Sequence, residues 1–297
     1  MYRKSGEFSF IETVENMFLG LVPSGVEGIG DDCAVIPQGD DRAMVVTTDM
    51  LGEGIHFLNG IDPYALGVRS VQVNISDVVA MGAEPCFLLL SVGVPEWVGD
   101  DWLMQFMKGI HSCGVALIGG DTTRSSEGLS ISVTAIGEAP TKNIKRRSGA
   151  KAGDLIFVSG ELGESAYNSY SSEVWAEVEE GVWLGGRSEV TSMMDISDGL
   201  SGDICHIMEC SGVGATIELE SVPVYNGATL EQALSGGEDF KLLFTVSPEG
   251  VEALKEDFRA RFSRDVFCVG EIISTEELRY TRGGVDATYS GGGFVHF

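Results

Sequence analysis

The sequence predicts a two-domain chain of mixed α and β structure, on three observations. Its 297 residues exceed an ordinary single domain. Apolar spacing alternates between strand-like and helix-like periods along the whole chain. Near the middle, APTKNIKRRSGAKAGD over residues 139–154 gathers Lys, Arg, Pro and Gly and interrupts that alternation. The boundary is therefore set near residue 145, dividing the chain into 1–144 and 145–297.

In the first half, Ile11, Val14 and Phe18 recur at helical spacing, and apolar runs at 33–36 and 44–48 read as strands. Asp62-Pro63 is an N-cap followed by proline at the first helical position, so a helix should run from there to Met81, where Gly82 can end it. A strand at 86–93 follows. Val98, Trp102, Phe106 and Ile110 form a helical stripe, and strands return at 117–118 and 129–136. The second half predicts strands at 155–159, 215–219, 240–246 and 266–269, with helices at 164–180, 198–210 and 251–262. Apolar strands in the first half leave sheet edges for a two-fold partner, which predicts a homodimer formed through residues 1 to 140.

Composition narrows the partners. With 45 acidic against 19 basic residues the formal charge is −26, and no basic run exceeds Lys145-Arg146-Arg147, so nucleic acid and anionic membranes are disfavoured. Six cysteines occur singly, without a CxxC pair, and read as buried thiols in a reducing cytoplasm. The first residues lack the apolar core of a signal peptide and no window reaches 18 apolar residues, so a soluble cytoplasmic protein is expected.

The chemistry lies in Asp residues placed beside glycines or hydroxyls at the ends of apolar runs. Six places stand out: GIGDD ending at Asp32, Thr47-Thr48-Asp49, Asn74 to Asp77, GGDTT with Gly120 and Asp121, MDISDG with Asp195, Ser197 and Asp198, and GGED with Glu238. One such Asp is ordinarily a turn former or a helix cap. Six that converge could not all stay ionised without cations. Oxygen-only ligands without paired His or Cys suit a hard ion such as Mg²⁺, which commonly also binds substrate phosphates. Neither a GxxxxGK[ST] loop nor a protein-kinase signature is present.

Seven ordered blocks carry a family resemblance: GIGDDCAVI, TTDMLGEGIHF, DPYALGVRSVQVNISDVVAMGAEP, IGGDTTR, RRSGAKAGD, MDISDGLSGDICHI and ALSGGEDFKLLFTV. The chain resembles the thiamine-monophosphate kinases, in the superfamily that includes aminoimidazole ribonucleotide synthetase. The resemblance implies a homodimer whose N-terminal domains pair their sheets, a C-terminal α/β domain beside each, and an active site in the groove between domains. It also implies transfer of phosphate from ATP to thiamine monophosphate with Mg²⁺, and with K⁺ as a candidate second cation. By matching blocks, Asp32, Thr47, Thr48, Asp49, Asp77, Asp121, Asp195 and Asp198 are the implied metal positions, with Asp77, Asp121 and Asp198 the catalytic carboxylates. Gly120, Asp121, Arg147 and Ser197 match nucleotide positions, and His56, Glu238 and Phe294 match substrate positions.

The chemistry agrees with that implication. A phosphate monoester is already ionised near neutral pH, so the acceptor needs no general base and the work is positioning and charge neutralisation. The chain departs from the family pattern at Met50, Gly52, Phe240 and Lys241, and in a short 163–193 segment. The alternatives are another ATP-dependent enzyme of the superfamily acting on a different phosphorylated small molecule, and a non-catalytic nucleotide-binding dimer. A scaffold has no physical need to gather so many like charges.

Overall fold

A computed structural model describes residues 6–170 and 174–289. The first half runs α1 (Gly6–Phe18), β1 (Ala34–Gln38), β2 (Arg42–Gly52), α2 (Pro63–Ala80), β3 (Glu84–Val94), α3 (Asp100–Ser112), β4 (Ala116–Arg124) and β5 (Ser130–Pro140), in the predicted order. The second runs β6 (Leu155–Val158), α4 (Glu164–Tyr167), α5 (Val178–Gly185), β7 (Val190–Asp195), α6 (Leu200–Ser211) and β8 (Gly214–Glu218). It ends with α7 (Leu230–Ser235), β9 (Leu242–Val246), α8 (Val251–Phe262), β10 (Phe267–Ile273), β11 (Leu278–Arg282) and β12 (Val285–Ala287). Among the described residues these strands make two sheets, ordered β1-β2-β5-β3-β4 and β12-β11-β8-β10-β6-β9-β7. The architecture is two-domain α/β.

The first sheet is half-buried. Along β5 burial alternates residue by residue, and Ile131, Val133, Ala135 and Ala139 face a core built with α2. The helix presses hard on the sheet: a Cβ on Gly137 would lie 2.3 Å from Val78 Cγ1. It presses equally on α3, where a Cβ on Gly67 would lie 2.2 Å from the Phe106 carbonyl oxygen. Only glycine permits these approaches, so α2 is held rigidly between sheet and helix. Its start is the predicted one, with Asp62 accepting from the Tyr64 N–H at 2.8 Å and Pro63 in the first turn.

The second sheet is covered on both faces. Ile156, Val158 and Leu243 pack with α6 and α7, while Phe157, Phe244 and Val246 pack with α5 and α8. Phe157 and Phe244 stack at 5.6 Å. Ala80, at the end of α2, joins this second core, so α2 is a wall shared by the two halves.

Three sequence expectations are corrected. The helix expected at 164–180 is broken into α4 and α5, with Ser169 and Tyr170 in left-handed conformation between them. Apolar spacing alone could not register that interruption. Thr47, Thr48 and Asp49 lie inside β2, and Gly120 and Asp121 inside β4, because pairing to β5 and β3 carries these strands past their apolar runs. Only Cys33 is buried; Cys86, Cys113 and Cys205 are half-buried and Cys210 and Cys268 exposed, although all six cysteines are free thiols. No helix among the described residues is long and apolar enough to cross a membrane.

Candidate active site

The site is built around the face of α2 that meets the second half of the chain. Residues three and four apart share a helix face, so Arg69, Gln72, Val73, Ser76, Asp77 and Ala80 form one stripe. Each meets a different group. Gln72 Oε1 accepts from the Ala176 N–H at 2.9 Å, Val73 packs with Val174 and Phe240, and Ser76 Oγ donates to Asp195 Oδ2 at 2.6 Å. Asp195 is the last residue of β7, so this bond joins the two halves at the carboxylate site.

β2 supplies the opposite wall. Thr47 Oγ1 donates to Asp77 Oδ2 at 2.7 Å, and the Asp49 N–H donates to Asn74 Oδ1 at 2.9 Å. Thr48, one residue out of phase, lies on the other face of the strand, where its hydroxyl donates to the Val133 carbonyl at 3.0 Å. Its side chain is thus separated from the carboxylates by strand geometry.

Carboxylate oxygens of Asp32, Asp77 and Asp195 lie within 4.8 Å of one another. Burial holds Asp77 well above the usual carboxylate range, aided by the charges of Asp195, Asp49 and Asp32. Asp195 is pushed up to about 8, again chiefly by burial and then by Asp32. Asp31 rises to about 6 through burial and Asp32. Arg147 answers part of this charge, its Nε and Nη2 donating to Asp32 Oδ1 at 2.9 and 2.5 Å, yet burial still keeps Asp32 raised. Asp32 Oδ2 is buried without a partner among the described residues. An orphaned oxygen in a group of three converging carboxylates fits a hard divalent cation. A second group joins Asp198, Asp203 and His206 within 4.8 Å, with Asp203 Oδ2 accepting from the Asp198 N–H at 3.2 Å. Burial, then Arg147, depresses His206 to about 4, so its imidazole is neutral near pH 7.

Beside Asp49 and Asp198 opens a pocket of about 300 Å³. Its walls come from both halves of the chain: Asp49, Met50, Leu51, Ile55, His56 and Val73 face Tyr170, Ser197, Asp198, Gly236, Glu238 and Phe240. Five sequence-predicted residues, Asp49, His56, Ser197, Asp198 and Glu238, therefore share one cavity. His56 Nδ1 accepts from the Gly52 N–H at 3.0 Å, which places the proton of the neutral ring on Nε2.

Two predicted residues stand elsewhere in the chain. Asp121 is exposed on edge strand β4, in register with Ser91, three strands from β2 and so about 14 Å away across the sheet. Gly120 beside it is required by packing, since a Cβ there would lie 1.8 Å from the Leu90 carbonyl oxygen. Phe294 lies outside the described residues.

The chain matches the families described as AIR synthase related protein, N-terminal domain, over residues 30–139, and AIR synthase related protein, C-terminal domain, over residues 151–282. It is 34% identical to the thiamine-monophosphate kinase of Salmonella typhimurium, across 98% of both chains. The chain belongs to the thiamine-monophosphate kinase family. Its relative from Buchnera aphidicola subsp. Acyrthosiphon pisum is 36% identical across 85% of this chain and 86% of its own. Among solved structures, AaThiL complexed with AMPPCP and TMP superposes with a TM-score of 0.83 at 30% identity, covering 100% of both chains. Thiamine-monophosphate kinase from Stenotrophomonas maltophilia gives 0.75 at 29%, covering 96% and 98%.

Several site residues carry no signal in the sequence beyond their place in a shared block. Asn74 and Ser76 act on Asp49 and Asp195 through single hydrogen bonds, and polar residues on a helix otherwise read as solvent-facing. Tyr170 and Phe240 line the cavity from left-handed backbone positions that periodicity cannot foresee. Asp239, in the GGED block, accepts from the Gly163 N–H at 2.7 Å and the Ser165 N–H at 3.2 Å, tying the start of α4 to the pocket rim.

Proposed function

We infer that the chain transfers the terminal phosphoryl group of ATP to thiamine monophosphate, giving thiamine diphosphate and ADP. The observation that carries this reading is a mixed cavity opening beside buried carboxylates, on a fold shared over its full length with AaThiL complexed with AMPPCP and TMP. An oxygen of the acceptor phosphate forms the new P–O bond as the bond to the ADP oxygen breaks, so no proton need be removed from the nucleophile. Mg²⁺, with K⁺ as a second cation, supplies neutralisation of phosphate charge that acidic walls cannot. Asp32, Thr47, Asp49, Asp77, Asp195 and Asp198 hold these ions in the proposal, and Asp77 and Asp198 face the transferred group. Arg147 and Ser197 serve the nucleotide, and His56, Glu238 and Phe294 the acceptor. Residues 1–144 and 145–297 are the proposed domains, and the groove between them is where the substrates meet. An ATP-consuming enzyme with six free thiols suits a reducing cytoplasm.

Incubation with ATP, Mg²⁺ and a panel of phosphorylated acceptors tests the reading. Turnover of thiamine monophosphate alone, abolished by a chelator, is the expected result; turnover of a different acceptor would replace it. His56→Ala is expected to raise KM for the acceptor about tenfold, the scale of one hydrogen bond to a charged group, with kcat little changed. A fall in kcat at constant KM would move His56 from binding to chemistry.

Assembly is part of the proposal. Phe87 and Leu89 are 40% and 36% exposed on the sheet face away from α2, and Leu117 and Ile118 are 40% and 57% exposed on edge strand β4. A second copy covering this face would bury them and bring Thr48, Gly120 and Asp121 to the seam between subunits. Light scattering at micromolar concentration is expected to give twice the 31.7 kDa chain mass. A fully active particle of monomer mass would show that the second copy is dispensable.

A further inference from the structure

Arg69 sits on the α2 stripe with 4% of its surface exposed, about two helical turns before Asp77. Its Nη1 donates to the Tyr170 carbonyl at 3.0 Å and its Nη2 is paired with Glu238 Oε2, while Nε is buried without a partner among the described residues. A guanidinium in such a place is strongly unfavourable unless its partners are held in register with it. Resting on the phosphoryl-transfer reading, we propose that Arg69 is a positioning residue that clamps Glu238 and the Tyr170 main chain, and thereby makes the pocket select an acceptor whose end remote from the phosphate presents N–H donors or positive charge.

Three features support this role. Tyr170 and Glu238 both have left-handed backbone, with φ of 59° and 56°, a conformation that needs support from surrounding structure. For Glu238 the main chain is already fixed: its N–H donates to the Ser197 carbonyl at 2.7 Å and its carbonyl accepts from Ser165 Oγ at 2.6 Å. What Arg69 adds is the direction of the carboxylate. The Glu238 side chain stays 27% exposed and lines the cavity, so one edge is bound to Arg69 and the carboxylate retains acceptor sites for a ligand.

Position along the helix completes the argument. Arg69 precedes Asp77 by eight residues, about 12 Å along a straight helix, and Val73 lies midway on the cavity wall. Helix α2, immobilised by its close contacts with the sheet and α3, acts as a spacer. One end meets the carboxylates that face phosphate, and the other meets the clamp on Glu238. Compensation by Arg69 also leaves Glu238 a poorer cation ligand than the clustered Asp residues, which separates the recognition end from the metal end.

Calorimetric titration with thiamine monophosphate, and separately with ATP and Mg²⁺, tests the proposal on wild type, Arg69→Met, Arg69→Lys, Glu238→Gln and the Arg69→Met/Glu238→Gln pair. Arg69→Met and Glu238→Gln are each expected to weaken thiamine monophosphate about tenfold or more, with nucleotide affinity within about twofold. The double variant should be no weaker than the worse single one, because both changes break the same contact. Arg69→Lys, which keeps charge but not the two-point fork, should fall between. Additive losses, a parallel loss of nucleotide affinity, or unchanged acceptor affinity in folded Arg69→Met would overturn the assignment. If Arg69→Met does not fold, Arg69→Lys decides: acceptor affinity equal to wild type overturns it. Wild type that binds no thiamine monophosphate overturns the functional reading as well, whereas binding that the variants leave untouched overturns Arg69 alone.

Discussion

Asp77→Asn is expected to lower kcat by roughly 10²–10³ while raising the thermal stability of the metal-free protein. The first effect follows from removing one of three converging carboxylates that would hold a cation against phosphate, on the scale of losing a single preorganised electrostatic contact. The second follows from the same geometry with opposite sign. Without a cation, Asp77 faces Asp195, Asp49 and Asp32 in a buried setting, and burial, aided by their charges, holds it well above its ordinary range. Asparagine keeps an oxygen to accept from Thr47 Oγ1 and removes the repulsion. The metal-free melting temperature should rise by a few degrees, on the order of 3 °C. Steady-state kinetics paired with calorimetric melting in chelator check both halves. Loss of activity together with loss of stability would indicate damage to α2 instead, and near-normal kcat would remove Asp77 from the chemistry.

The stability of the metal-free chain should fall as pH rises from about 4 to about 8, and Mg²⁺ should cancel that fall. Asp195 has a folded-state pKa raised to about 8 and Asp31 one raised to about 6, chiefly by burial. In that window the folded chain binds more protons than the unfolded one, so the free energy of unfolding decreases with pH. The penalty is absent below the ordinary carboxylate pKa and complete above the folded value. Cation binding favours the ionised form and so offsets the slope. Mg²⁺ at a hundred times its dissociation constant adds about 2.7 kcal/mol, which corresponds to a rise on the order of 5 °C that should be larger at pH 8 than at pH 5. Melting curves across pH, with chelator or Mg²⁺, measure it. Asp195→Asn serves as control, since it should flatten the metal-free slope; an unchanged slope in that variant would assign the pH dependence to the general surplus of negative charge.

Much of the fold was legible because its signals are local. The helix opening at Asp62-Pro63 and closing before Gly82 is defined by capping chemistry within a few residues, and the structure places α2 at Pro63–Ala80. The stretch 251–262 has a helical apolar pattern and forms α8 at Val251–Phe262. Strands β7, β11 and β12 and helix α7 are not predicted, because short apolar runs carry no decisive period. The 164–180 segment misled because helical spacing continues across Ser169 and Tyr170, where the backbone turns left-handed to meet Arg69.

By itself the sequence determined the mixed α/β class, the order of elements in the first half, the family resemblance, and the repeated pairing of Asp with glycine or hydroxyl neighbours. These are properties of residues and their near neighbours, so they survive without coordinates. Tertiary structure alone decided which carboxylates converge. It joined Asp32, Asp77 and Asp195, which are 45 and 118 residues apart in sequence, and left Asp121 on an exposed strand edge. It also put Thr48 on the opposite face from Thr47 and brought Arg69 against Glu238 from the other half of the chain. Such choices depend on strand phase, sheet order and the rigid placement of one helix between two cores, and none of these is encoded within a short stretch of sequence.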